Sequence, residues 1–238
     1  ASAGAEGKSA AALAGVKVKT VETGRSLVLR EESALYHMIE TGELRSCPLE
    51  KEFPSQGYQG KPTVVADAET LCRIYEAAQP EYVESKLIVV SAAGESRIVE
   101  VKTGTSLLTL LTECGMKPQK SVLIGGVTGE FIAKDQLDQK TVGPCADWDS
   151  VSVYGEKDCL ADVTRQLAAQ ANKESCKKCV LCREGTWHFA AYTQDITDGK
   201  AKKDDLAMIL DIGPLIQTGA FCSFGQKMAR AVVISVEQ

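Results

Sequence analysis

Three cysteines at successive spacings of three, Cys176, Cys179 and Cys182, with a fourth, Cys222, 40 positions after the last of them, constrain this chain more than any other feature. Thiolates in a C-x2-C-x2-C run can converge on one side of a compact inorganic cluster, whose remaining iron must then be ligated from a remote segment. Structural zinc sites prefer two separated C-x2-C pairs. The three-plus-one pattern therefore favours a 4Fe-4S cluster held by Cys176, Cys179, Cys182 and Cys222, with a zinc site or unligated cysteines as the alternatives. The fold has to bring residues 176–182 and residue 222 together.

Charge around the run agrees. Lys173, Lys177, Lys178 and Arg183 outnumber Glu174 and Glu184 in a chain whose net charge is -5. Four thiolates leave an oxidised cube anionic, so cations and the free N–H groups of a helix start would offset its charge. Lys177 and Lys178, lying between ligands, are the two expected close to it. His188, beside Trp187, reads as a packed or capping residue rather than a ligand. The other five cysteines, Cys47, Cys72, Cys114, Cys145 and Cys159, are scattered singly and read as small hydrophobes.

Nine cysteines in 238 residues are too few for a disulfide scaffold. The acidic balance, 27 basic against 32 acidic side chains with no basic stripe, argues against nucleic acid. No apolar run approaches the roughly 18 residues of a membrane span, so direct membrane insertion is not expected. Residues 1–15, rich in Ala and Gly, read as a flexible tail without the arginines of a transit peptide or the apolar core of a signal. A reducing, cytoplasmic setting is expected, ahead of the mitochondrial matrix.

Along the chain, apolar positions alternate loosely through Val16, Val18 and Val21. Helical spacing then runs over 31–41 and stops at Gly42. Residues 47–63 carry Pro and Gly punctuation that excludes regular structure, and 67–78 reads as a short helix. From residue 84 the pattern is hairpin (86–92, 97–101), helix (105–114), strand (121–124) and strand (151–154). That is an α+β unit most like a ubiquitin-type β-grasp, in which the GGxxG stretch at 125–129 is a structural turn. Beyond Gly155 the chain turns helical. Leu160, Val163, Leu167 and Ala171 stripe one helix, and Leu206, Ile209 and Leu210 mark another, from Asp204 to a stop at Gly213-Pro214. Phe221, Phe224, Met228, Ala231 and Val232 stripe the last.

The segments ESCKKCVLCREGT and TGAFCSFG resemble the iron-sulfur signature of the flavin-bearing, NADH-oxidising subunit of respiratory complex I and of its relatives in NAD-linked hydrogenases and formate dehydrogenases. In that family three cysteines of an ESCGxCxPCREGT loop and one of an ICxLG segment hold a single 4Fe-4S cluster. The resemblance places those ligands on Cys176, Cys179, Cys182 and Cys222. Lys177 stands where a glycine is usual and Leu181 where a proline is usual, while Lys178 matches. Upstream, GKPTVVADAETL is similar to the family's GKPTVVNNVETL and LVLREESAL to its YICGEETAL, and residues 84–155 resemble its β-grasp (SLBB) module. The glycine-rich loops for flavin and dinucleotide have no counterpart before Val16. At flavin-facing positions Arg30 replaces a glycine, where its side chain would fill space a ligand needs. Ala66 and Asp67 replace paired asparagines, and Asp67 sets a carboxylate near the expected flavin phosphate. Glu31 and Glu32, the family's paired glutamates, are assigned surface or packing roles.

The resemblance thus implies four parts: a tail (1–15), a truncated remnant of the flavin domain (16–83), an SLBB-like β-grasp domain (84–156) and a 4Fe-4S-binding helical bundle (157–238). No catalytic acid, base or nucleophile constellation is present. The expected role is an electron-transfer subunit carrying one 4Fe-4S cluster, with FMN and NAD absent, inside a multi-subunit oxidoreductase. Its partner would be a large iron-sulfur chain like that of complex I, or a hydrogenase or formate dehydrogenase catalytic chain. The rivals are an NADH dehydrogenase subunit whose nucleotide half is on another chain or missing, and a structural subunit with an inert cluster or zinc.

Overall fold

The computed structural model describes residues 21–23, 25–46, 53–117, 120–143 and 148–237. The expected tail, Val16, Val18, Cys47 and Cys145 lie outside them.

A 3-10 turn at Leu27–Arg30 leads into helix α1, Glu32–Thr41. Gly42 ends α1 as the sequence predicts: it takes φ 77° and its N–H reaches the Met38 carbonyl, a left-handed cap that costs a glycine least. Part of the stretch read as irregular is ordered into a one-turn helix, Phe53–Gln56, and a 3-10 turn, Tyr58–Gly60. Such turns close through local bonds alone, here Lys61 N–H to Tyr58 O at 3.1 Å, so Pro and Gly do not exclude them. Helix α2, Ala68–Ala77, begins where the Asp67 side chain accepts the Thr70 N–H at 2.7 Å.

The sheet follows: β1 (Ser85–Ala92), β2 (Glu95–Lys102), helix α3 (Leu107–Glu113), β3 (Ser121–Ile124), β4 (Glu130–Ala133) and β5 (Ser150–Tyr154). Strand order is β2-β1-β5-β3-β4, with β1 parallel to β5 and every other pairing antiparallel. The β1–β2 loop is the two residues Ala93 and Gly94, both at positive φ, which is the twist a two-residue hairpin needs. Strand β4 is not in the sequence reading. It is four residues long, too short for alternation to register, and pairing with β3 makes it a strand. The turn at 125–129 is obligatory for β3 to reverse: Gly125 and Gly126 lie at φ 71° and 56°, and a Cβ on Gly129 would run into the Ile124 carbonyl. Ile88, Val90, Leu107, Leu111, Val122, Ile124 and Val151 fill the space between sheet and α3.

Four helices complete the described chain: α4 (Leu160–Glu174), α5 (Val180–Thr197), α6 (Asp205–Gly219) and α7 (Ser223–Glu237). The expected stop at Gly213-Pro214 is wrong, because α6 continues through Pro214 to Gly219. An interior proline costs about 3 kcal/mol. Here Ile209 and Ile216, both fully buried, lie either side of it on one face, and Gly213 lets Val233 of α7 pack against the helix backbone. Burial of that face offsets the lost hydrogen bond. Two stripe members are also reassigned: Phe221 precedes α7 and is exposed, and Leu206 is exposed on α6. Leu167, Ala171, Phe224, Met228, Ala231 and Val232 are core, as expected. Among the described residues no helix is long and apolar enough to cross a membrane.

Candidate metal centre

Cys176, Cys179, Cys182 and Cys222 come together in one cluster of the bundle core, Cys179, Cys182 and Cys222 buried and Cys176 partly so. Helix α4 ends at Glu174, whose carboxylate accepts the Leu27 N–H at 2.9 Å and the Ser26 hydroxyl at 3.1 Å, fastening the loop to the segment ahead of α1. Ser175 is extended, and Lys177 turns the chain at φ 60°, a left-handed conformation that favours glycine. Cys179 is the N-cap of α5 and lends it no side-chain hydrogen bond. The first N–H groups of α5, with no acidic residue in that turn, therefore sit beside the cysteine run.

Cys222 is set just before α7. Glu31 Oε2 accepts the Ser223 N–H at 2.9 Å and the Ser223 hydroxyl as well, capping α7 from 192 residues away. A Cβ on Gly225 would lie 2.7 Å from the Ala220 Cβ and 3.5 Å from the Cys182 Sγ, so only a glycine lets α7 close on the α5 thiol.

Burial dominates the electrostatics. It pushes the Cys182 thiol up to about 12, with the neighbouring Cys179, Cys222 and Cys176 adding to the rise and a hydrogen bond from Ser175 opposing it. Burial also raises Cys222, against hydrogen bonds from Ser46 and the Gly225 N–H. Of the two lysines expected close by, Lys178 is held by Glu43 at 2.9 Å, which spends its charge, and Lys177 is exposed. Arg183 pairs with its neighbour Glu184 at 2.8 Å. No three His, Cys, Asp or Glu side chains among the described residues meet around a single-ion position. The other three sulfurs act electrostatically on Cys182, so the four thiols are neighbours in the core, whereas zinc would draw each sulfur to about 2.3 Å from one centre.

His188 packs as expected, its ring edge-on to Trp187 at 4.8 Å and stacked with Tyr192 at 5.5 Å. Reading the scattered cysteines as hydrophobic filler fails for Cys72 and Cys159, which are exposed. Cys72 lies on α2, which buries no residue, and Cys159 is the N-cap of α4.

The altered flavin-facing positions also meet. Arg30, Glu31 and Asp67 line a cavity of about 490 Å³ with Gly125, Gly126, Asp149 and Ser223. Arg30 reaches across it to Asp149 at 2.7 Å. Asp67 is occupied as the α2 cap, and the Thr70 N–H and hydroxyl, with Arg30 nearby, hold its carboxyl below the usual range.

Residue-type reasoning missed Ser46, Ser175 and the true work of Glu31. Ser175 adjoins a ligand, which is a usable signal. Ser46 and Glu31 had none, since each acts across more than a hundred residues.

Residues 162–238 match the family described as the NADH-ubiquinone oxidoreductase-F iron-sulfur binding region. The chain is 26% identical to the NADP-reducing hydrogenase subunit HndC of Solidesulfovibrio fructosivorans over 89% of its own length and 48% of the relative's. It is 27% identical to the NAD-reducing hydrogenase HoxS subunit alpha of Cupriavidus necator, over 87% and 37% respectively. A solved NAD+-reducing [NiFe]-hydrogenase in the air-oxidized state shares the fold at a TM-score of 0.83 and 23% identity, over 97% of this chain and 44% of that one. The chain thus spans about half the length, or less, of the relatives it matches.

Proposed function

Starting from a C-terminal region of the NADH-ubiquinone oxidoreductase-F iron-sulfur type, we propose that this chain is an electron-relay subunit of a multi-subunit oxidoreductase, in which Cys176, Cys179, Cys182 and Cys222 hold one 4Fe-4S cluster. One observation carries the reading: four thiols from two remote segments lie together in the bundle core, beside the N-terminus of α5 and where Gly225 lets α7 approach. The three-plus-one set of thiols suits a cube, and among the described residues no three such side chains meet around a single-ion position. When bound, the cluster supplies one-electron uptake and release. The protein residues hold the ligand set rigid. Glu174 anchors the loop, Glu31 fixes the start of α7, and the packed bundle excludes water from three of the four thiols.

The same reading takes residues 16–83 as the remnant of a flavin domain, 84–156 as a β-grasp unit and 157–238 as the cluster-binding bundle. The strand order β2-β1-β5-β3-β4 with one covering helix supports the second assignment. Arg30 and Asp67, engaged with Asp149 and the α2 N-terminus, support a chain that binds neither FMN nor NAD. An exposed pair such as Arg30–Asp149 is worth at most about 1 kcal/mol, so the side-chain volume in the cavity weighs more than the pairing. Donor and acceptor then belong to partner chains, by the chemistry of the relatives a hydrogenase or a quinone-reducing assembly.

The test is anaerobic purification with iron, sulfide, zinc and flavin analysis. About four iron and four sulfide per chain is the expected result. One zinc per chain without iron overturns the cluster, and saturable micromolar FMN binding by the chain overturns the flavin-free reading.

A further inference from the structure

We infer that Ser46 and Ser175 are redox-tuning residues: two buried hydroxyls from separate segments that hydrogen-bond the cluster thiolates and raise the cluster's reduction potential. The inference rests on the ligand set proposed above and reaches beyond residues 162–238, because Ser46 lies in the segment after α1. Ser46 is 4% exposed and Ser175 7%. The Ser46 Oγ is 3.8 Å from the Cys176 Sγ. Among the described residues its hydroxyl has no nitrogen or oxygen partner. A buried hydroxyl without a partner is costly, so sulfur is what it is placed to serve.

Ser175 is constrained in direction as well as position. Its oxygen accepts the Lys177 N–H at 3.2 Å, and the Cys182 Sγ stands 3.4 Å away. A cysteine that ligates the cluster is a thiolate without a proton, so in the loaded protein the Ser175 hydroxyl is the donor of this pair. The left-handed turn at Lys177 is what brings that N–H back onto Ser175, so the strained residue and the donor form one device. The two serines together give Cys176 and Cys182 a hydroxyl each.

Reduction adds negative charge to the cluster and its sulfurs. A donor to sulfur therefore stabilises the reduced form more than the oxidised form, and the potential rises with each such bond. A hydrogen bond to a charged group is worth enough to shift the reduction equilibrium roughly tenfold, which is about 59 mV for a one-electron couple.

The experiment is a potentiometric titration of the full chain, followed by low-temperature EPR, on the wild type, Ser46→Ala, Ser175→Ala and Ser46→Thr. Each alanine variant should keep its iron and sulfide and titrate at a lower potential by about a tenfold change in the equilibrium, and Ser46→Thr should return toward the wild-type value. Alanine variants that hold a full cluster at the wild-type potential overturn the inference and leave the ligand set standing. A wild type with no 4Fe-4S signal defeats the ligand set itself. Should Ser46→Ala lose its cluster, Ser175→Ala decides alone: a lowered potential supports the inference and an unchanged one overturns it.

Discussion

Helices α2 and α7 are both amphipathic, and the chain treats them in opposite ways. On α7, Phe224, Gly225, Met228, Ala229, Ala231, Val232 and Val233 are buried against the other bundle helices. On α2 no residue is buried, and Leu71, Ile74 and Tyr75, at helical spacing, are 59%, 63% and 73% exposed. What holds α2 is polar: Asp67 at its cap, Glu69 accepting the Leu87 N–H at 2.6 Å, and Arg73 bonded to Glu76 and Glu100. An apolar stripe says that a helix has a face to bury, and leaves open what buries it. The face of α7 is covered by the other bundle helices together with Val127 and Phe131 of the sheet unit, and this core holds the four thiols among packed neighbours. The α2 segment contributes its edge to the cavity at Arg30 and little to the core.

Substitution should separate the two regions by size of effect. Removing a ligand is the harshest change. Cys222→Ala should leave one iron unprotected, so that EPR reports loss of the four-iron signal and iron analysis a fall below four per chain. Cys114→Ala and Cys159→Ala, outside the pocket, should leave the spectrum unchanged. An intact four-iron signal in Cys222→Ala would remove Cys222 from the ligand set.

Phe189→Ala comes next. That ring is fully buried where α5 meets Gly213 of α6, and its loss should cost about 3 to 5 kcal/mol in denaturant unfolding. Gly225→Ala should cost about 1 to 3 kcal/mol, because the added methyl meets Ala220 and either α7 or the α5 thiol must shift. It should also slow cluster loading, which a purely helical effect would not do.

A smaller loss, about 1 kcal/mol, is expected for Glu31→Ala, which uncaps α7 at Ser223. Faster iron release on challenge with a chelator is the second expected readout, since the cap sits next to Cys222. At the bottom of the scale, Leu71→Ser and Ile74→Ser on α2 should change stability by no more than about 0.5 kcal/mol in the isolated chain. A loss of several kcal/mol there would mean that α2 is packed like α7, and the contrast would collapse.

Local pattern was enough for α1, α2, the β1–β2 hairpin, α3 and the stripes of α4 and α7, because each depends on neighbours within a few residues. The stop of α1 at Gly42 is of the same kind, and so is a turn between the strands read at 86–92 and 97–101, which the structure narrows to Ala93 and Gly94. The spacing of Cys176, Cys179 and Cys182 belongs here too: three cysteines in seven residues are a property of the chain before it folds.

Tertiary structure decided the rest, by burial or by partners distant in sequence. Strand β4 exists because β3 pairs with it, and α6 passes through Pro214 because the face it buries outweighs one missing hydrogen bond. Cys222 reaches the other three thiols only because Gly225 admits α7 and Glu31 caps it. Ser46, unremarkable in its own segment, meets the Cys176 sulfur through a contact spanning 130 residues, and no local pattern encodes a contact whose strength depends on the water that folding removes.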